Sequence, residues 1–428
     1  MTLLSPKSLN YLEIAKKSLK EKGLTEDLLS SFENEGIPGK KNEDYKYTNL
    51  EASLHDEIAL SHDDPSPEAL EKIINEVSHL PGGNKLVFYN GKYLKDASVL
   101  KDALQINDKK SIFKKDPIVQ DTEDPLTSLN LSMLRHSYEL VFPKNSKSSL
   151  TTLFQFVDQN EKESSFNHLT LIAEEGAQAS ILEILKENDK ESSISSQSFG
   201  HSALFLGKNS NIQHAKLYLC STKHNHVGKF YSELKRDAQL NSLSFLAKGK
   251  VIRHNMEVNL VEEGAHATVN GLYTGRESQH PDSFTHIHHI APHTTSNQLF
   301  KGILDDNAHG IFTGKIVVHR DAQKVDSSQL NKNLILSKKA HVDTRPQIEV
   351  YADDVKCGHG ATVGQINDEE VFYLQSRGIQ KAKAQKILCH AFGQEVIDSF
   401  NFKEVCLYLE EILYKEFEKY ALENIEND

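Results

Sequence analysis

The stretch NLVEEGAHATVNGL at residues 259–272 decides the fold, because its layout returns in ILDDNAHGIFTGKI at 303–316 and VVHRDAQKVDSSQL at 317–330. In each, an apolar run is broken by two or three charged or small residues, an alanine follows the break, and an alternating run resumes. Alternation with a period of two is the mark of a strand, and the break marks a turn. The same layout is readable in LIAEEGAQASILEI at 171–184, LKRDAQLNSLSF at 234–245 and LILSKKAHVDTRPQIEV at 334–350. Ala265, Ala308, Ala322 and Ala340, with Asp354 in register, are irregularly spaced, yet the later spacings pair into a period of about 30 residues, inside the range that signals solenoids. A unit this short cannot bury its own apolar face. Stacked coils of a β-helix bury it between neighbours and leave polar turns outside. A β-sandwich accounts for the alternation equally well but not for the recurring turn.

Outward from this core the pattern turns helical at both ends. Pro6 to Phe32 carries Leu9, Leu12, Ala15 and Leu19 at helical spacing, with Gly23 as the stop. Ser66 and Pro67 form an N-cap and first-turn pair ahead of Leu70, Ile73, Ile74 and Val77. A short strand-like piece, LVFYNGKYL, lies at 86–94, and periodicity lapses between about 110 and 145. Beyond Gln365, Ala384, Ile387, Leu388, Ala391 and Phe392 fit an amphipathic helix, and Val405, Leu409, Ile412, Phe417 and Tyr420 fit another. Such helices pack on each other, cap an open sheet edge, or offer a groove to a partner. The organisation expected is a mostly helical region with a linker over 1–140, a β core over 141–365 and a helical domain over 366–428.

Composition narrows the function classes. The 428 residues exceed one ordinary core, 38% are hydrophobic, and mean hydropathy is -0.50 with no apolar run long enough to span a bilayer. The opening MTLLSPKSLNYLEIAKK lacks the layout of a secretory signal, so a cytoplasmic protein is expected. A formal net charge of -12 disfavours a nucleic-acid surface. Cys220, Cys357, Cys389 and Cys406 form no closely spaced pair, which leaves no disulfide framework or zinc ribbon. The Gly-Lys pairs at 91, 207, 228, 249 and 314 are not followed by Ser or Thr, so no P-loop is present. Any ATP used must be bound by another chain.

The chemistry-bearing run is YADDVKCGHGATVGQI at 351–366. Cys357 and His359 stand two apart in a glycine-flanked extended segment and so share one strand face. Thiol and imidazole suit iron and sulfide, and the plain alternative is a packed cysteine beside a hydrogen-bonded histidine. A second group, His280, His286, His288, His289 and His293, looks like a metal cluster, but His286 and His288 share a strand face while His289 points the other way.

That run, with VFYLQSRGI at 371–379, EDYKYTNL at 43–50, APHTTSNQLFKGILDD at 291–306 and DAQKVDSSQLNKNLILS at 321–337, resembles the SufB/SufD family of iron–sulfur assembly proteins, and its SufD branch more than its SufB branch. Thr294–Thr295 stand after His293 where many relatives are expected to carry a cysteine. The resemblance implies a mainly β fold with a right-handed parallel β-helix flanked by helices. It implies a non-enzymatic scaffold that pairs with a SufB-like paralogue, or with a second copy of itself when alone, and recruits a SufC-like ATPase through the C-terminal region. His359 and Cys357 would take part in a transient iron–sulfur cluster shared with the partner, none being held stably by this chain alone. Tyr373, Arg377, Gly378, Ile387 and Phe392 would face partners. A β-helix polysaccharide lyase or hydrolase is the competing class, and a SufB-like sulfur acceptor the competing role.

Overall fold

The computed structural model describes residues 4–102, 104–108, 124–160, 163–188 and 195–420. Its centre is a β-solenoid in which the chain passes alternately between two ten-stranded sheets, parallel except for short antiparallel strands near the N-terminal end. The first sheet runs from Tyr138–Phe142 through Glu163–Ala173 to His341–Val350, and the second from Asn84–Tyr89 through Thr151–Val157 to Lys356–Gly364. The β-helix expected from the recurring turn is therefore the architecture, and the sandwich is not. Asn211, Gln239, His266, Thr295, Asp326 and Lys356 hold one position in six successive coils, so a coil takes 27 to 31 residues.

The turns explain why the alanines are irregularly spaced. Ala265, with Ala177 and Ala238, lies where the chain leaves the first sheet for the second, while Ala308 and Ala340 lie where it returns. Ala322 sits in a longer turn of the first kind. Two columns interleave in sequence, and each is periodic only with itself. Backbone links run down the first column: Asn145 N–H to Glu175 O, Gly176 to Lys208, Asn209 to Arg236, Asp237 to Glu263, His293 to Gln323 and Lys324 to Asp354, at 2.7–3.2 Å. The donors have φ between +54° and +69°, the left-handed region where Asn, Asp and Gly are tolerated best.

Both outer faces of the solenoid are covered, so strict alternation fades in strands buried on two sides. On the first sheet, the helices Pro6–Glu21, Ser30–Glu35 and Pro125–Met133 bury Tyr11, Leu19, Phe32 and Leu129 against Phe166 and Phe199. Gly23, at φ +67°, ends the first helix as the sequence suggests. On the second sheet lie Pro67–His79, capped by Ser66 on Ala69 N–H, and the C-terminal helices Lys381–Asp398 and Lys403–Tyr420. LVFYNGKYL forms a hairpin with Asn90 and Gly91 at φ +46° and +89°, and its strand Asn84–Tyr89 pairs with Thr151–Val157. The lapse of periodicity at 110–145 falls partly on 109–123, outside the described residues.

The C-terminal helices do not cap the sheet ends. They lie on the face of the second sheet, where Val405, Leu409, Leu413 and Phe417 repeat every four residues and are buried. Burial of four such side chains contributes several kcal/mol at about 1.5–3 each, far more than helix propensity. Ile412 is half-buried, and the side chain of Tyr420 is outside the described residues. In the helix before it the buried stripe is Ala384, Cys389, Gly393, Val396 and Ile397, while Ile387 and Ala391 face out.

Candidate functional site

The solenoid stops at two edge strands. His341–Val350 pairs on one side with His309–Val318, and Lys356–Gly364 with Asp326–Ile335; no described strand adds to either outer side. A row of backbone donors and acceptors therefore faces outward along both, the arrangement that accepts another chain's strand. Val350, Tyr351 and Val363 are exposed along this rim.

Cys357 and His359 lie in this last coil, beside Ser327 and Gln329 in strand register. Cys357 is half-buried against Ile316, Val318, Ala322 and Val325, which sets it on the inner face of the coil. His359, two residues on, has the same face but no coil above it, and is exposed. Burial, helped by the charge of Asp326, raises the Cys357 thiol above its ordinary value, so it stays protonated near neutral pH until a metal or cation approaches. Sequence reading brings these two groups together and the fold keeps them together. What it missed is the polar interior beneath them. Gln298 and Gln329 are buried in the two preceding coils with side-chain atoms that have no partner among the described residues. An unsatisfied buried polar group costs about 1–3 kcal/mol.

The other predicted residues lie on or beside the helices that follow the last strand. The helix Asp368–Gln375 exposes Phe372 and Tyr373, the latter with the Arg377 guanidinium 4.4 Å over its ring. Gly378, at φ +82°, follows the helix in open space. Phe372, 71% exposed, was not singled out because the helix has no clear apolar stripe. Ile387 is exposed, whereas Phe392 is half-buried against the second sheet. Lys301 Nζ lies 4.1 Å from the Phe392 ring, donates to its carbonyl at 2.8 Å and pairs with Glu395. A cavity of about 290 Å³ between this helix and the solenoid is lined by Leu336, Ile366, Lys386, Cys389 and Phe417. Burial pushes the Cys389 thiol up to about 12, so it is no nucleophile.

The histidine group divides as the strand period requires. His286 and His288 sit together on the outer face, rings 3.9 Å apart, while His289 turns inward to Thr294 Oγ1 at 2.8 Å and Ser296 Oγ at 2.9 Å. No group of three or more metal-ligating residues is arranged to hold an ion among the described residues. EDYKYTNL is a strap over the outer face of the first sheet. Tyr45 is buried under the Arg253 guanidinium, 4.3 Å from its ring, Thr48 meets His280 at 2.9 Å, and Glu43 pairs with Arg345.

With this geometry established, residues 156–392 match the family model for the SUF system FeS cluster assembly SufBD core domain. The chain belongs to the SufBD family. It is similar to the iron–sulfur cluster assembly protein SufD of Escherichia coli, 31% identical over 85% of each chain. A SufBD family protein of Synechocystis is 28% identical over 87% of this chain and 85% of its own, and SufD of Bacillus subtilis 27% identical over 68% and 67%. The SufBD core match takes in the open end, with Cys357 and His359, and most of the helix Lys381–Asp398. No described helix is long and apolar enough to cross a membrane.

Proposed function

We propose that this SufBD chain is a non-catalytic scaffold subunit that pairs with a SufB-like paralogue across the open end of its solenoid, where nascent iron–sulfur clusters form. The observation that carries this reading is the coincidence of two unpaired edge strands with an inward-facing thiol and imidazole at the same opening. Iron and sulfide are substrates here. Cys357 and His359 supply too few ligands to close a four-coordinate site, so the rest come from the partner, and a set divided between two chains releases what it assembles. The exposed Phe372, Tyr373 and Ile387 support docking of a SufC-like ATPase on the C-terminal helices.

The test is His359→Ala in the complex co-expressed with the paralogue and the ATPase. Because the ring is exposed, its loss removes a ligand and little buried area, so expression and assembly should match wild type while cluster formation falls at least tenfold. Cluster formation at the wild-type rate would reduce the motif to a structural seam.

A further inference from the structure

One segment of the N-terminal region reaches from the early coils to the last. Ala59 and Leu60 pair with Glu163 and Ser164 in the strand Glu163–Ala173, the His55 N–H donates to Gln197 Oε1 at 2.9 Å, and Asn225 Nδ2 donates to Ser53 O at 2.8 Å. Further along the same sheet, Thr48 Oγ1 meets His280 Nε2 at 2.9 Å and donates to Asp282, while the Tyr45 ring is buried under Arg253. The segment ends on the edge strand His341–Val350, where Arg345 pairs with the Glu43 carboxylate and donates to the Glu43 carbonyl at 3.3 Å. Residues 43–60 therefore cross the outer face of the first sheet from coil to coil. Within a solenoid a coil bonds only to its neighbours. The last coil has one such neighbour, and the apolar residues under it form a small cluster of their own around Ile316, Val318, Ala322 and Val325. A tie anchored in earlier coils counts for most at that end.

We infer that residues 43–60 are a clasp that sets the order of the edge strand His341–Val350, with the Glu43–Arg345 contact as its latch. The anchor beside the latch is built. Arg253 is 1% exposed, lies over both Tyr45 and Phe284 at 4.3 and 4.8 Å, and donates to Asp282 at 2.6 Å, so the segment is fixed close to the point where its end meets Arg345. The latch joins groups 302 residues apart, which no local preference can supply. Seating the segment orders the edge strand, and by reciprocity an ordered edge strand seats the segment. The clasp deepens the proposed function by naming what holds a strand that the partner would meet, and it rests on that reading for its purpose but not for its measurement.

The experiment is hydrogen exchange by mass spectrometry on the full chain at neutral pH. It reads peptides covering 341–351, whose amides bond back to the previous coil, His341 to Ala308 and Tyr351 to Val318 among them. Glu43→Arg sets like charges against each other at the latch and should speed exchange there by about fivefold, the factor that an exposed ion pair sustains, while peptides covering 163–173 keep the wild-type rate. Glu43 is exposed, so the variant removes nothing from the core. Glu43→Arg/Arg345→Glu restores opposite charges and should return exchange in 341–351 to wild type. Unchanged exchange at 341–351 in Glu43→Arg overturns the inference, as does an equal rise in every coil or a double variant that stays fast. Capture of the co-expressed SufB-like paralogue should fall in Glu43→Arg and recover in the double variant. Wild-type capture by a Glu43→Arg chain whose edge exchange has risen and is rescued would leave the clasp standing and remove this strand from the docking reading.

Discussion

At the scale of single residues, the solenoid interior holds more charge than an apolar alternation suggests. Glu183 is buried with His214 Nε2 at 2.9 Å, Lys216 Nζ at 3.0 Å and Ser202 at 2.7 Å. Burial works against its charge, but Lys216 and the His214 contact outweigh it and hold the carboxyl well below its ordinary range. Removing one partner of such a pair is costly because it strands the other. Lys216→Met should therefore lower stability by about 3–5 kcal/mol in urea unfolding, and the double variant Glu183→Gln/Lys216→Met should recover most of that. A single variant within 1 kcal/mol of wild type would mean the carboxylate is satisfied without the ammonium. Cys357 is a milder case. Half-buried against small aliphatic groups, it loses little on becoming a hydroxyl, so Cys357→Ser should reduce cluster formation less than His359→Ala does; an equal or greater loss would make the thiolate an obligatory ligand. The pairing of Cys357 with His359 was legible because it depends on a two-residue spacing alone. Gln329 was not, since nothing in sequence says that residue 314 faces residue 329.

At the scale of elements, the strand and turn pattern was readable and its phase was not. Alternation and the post-turn alanines marked coils, but the alanines belong to two columns that only three-dimensional winding separates. They point inward: Ala322 is fully buried and Ala340 is 6% exposed. Ala322→Leu or Ala340→Leu should each cost about 1–3 kcal/mol by forcing neighbouring coils apart, measured as a shifted denaturation midpoint with the slope unchanged. The C-terminal helices teach the same lesson. A helical period was evident over 384–392, yet burial there is set by contact with the sheet and with Leu413, which lies 3.0 Å from where Gly393 would carry a Cβ. Phe392 thus sits in the packing while Ile387 faces out. Phe392→Asp should loosen the helix along with any ATPase capture, whereas Ile387→Asp should leave circular dichroism unchanged and weaken capture. Full capture by a folded Ile387→Asp chain would move the docking face elsewhere, with Phe372 and Tyr373 the next to change.

At the scale of the molecule, the layering of strap, solenoid and helices buries histidines that composition alone would leave titrating near neutrality. His280, His286 and His288 are held at about 4 and His289 at about 3, each chiefly by burial; Asp282 beside His280 and Glu257 near His286 and His288 pull the other way without prevailing. The sign follows from proton counting. Between about 6.5 and about 4 the unfolded chain binds protons that the folded chain refuses, so stability falls as pH falls through that window. Glu187 behaves differently: burial opposes its charge, but the hydrogen bond and charge of His224 and the Ser196 hydroxyl hold it at about 2. Its contribution is intact above about 4.5 and fades only below that. Loss of stability should therefore begin well before the carboxylates titrate. The melting temperature is expected to be flat between pH 7 and about 8, where burial of the Lys22 ammonium begins to act, and to drop between pH 6.5 and 4, with the histidines together accounting for a few kcal/mol. His286→Gln and His288→Gln should each flatten that slope, because a neutral amide in the same place gains no proton on unfolding. A melting temperature at pH 5 equal to that at pH 7 would show that these rings accept protons in the folded chain, and for His286 and His288 that water fills the cavity they line with Tyr45, Arg253 and Phe284.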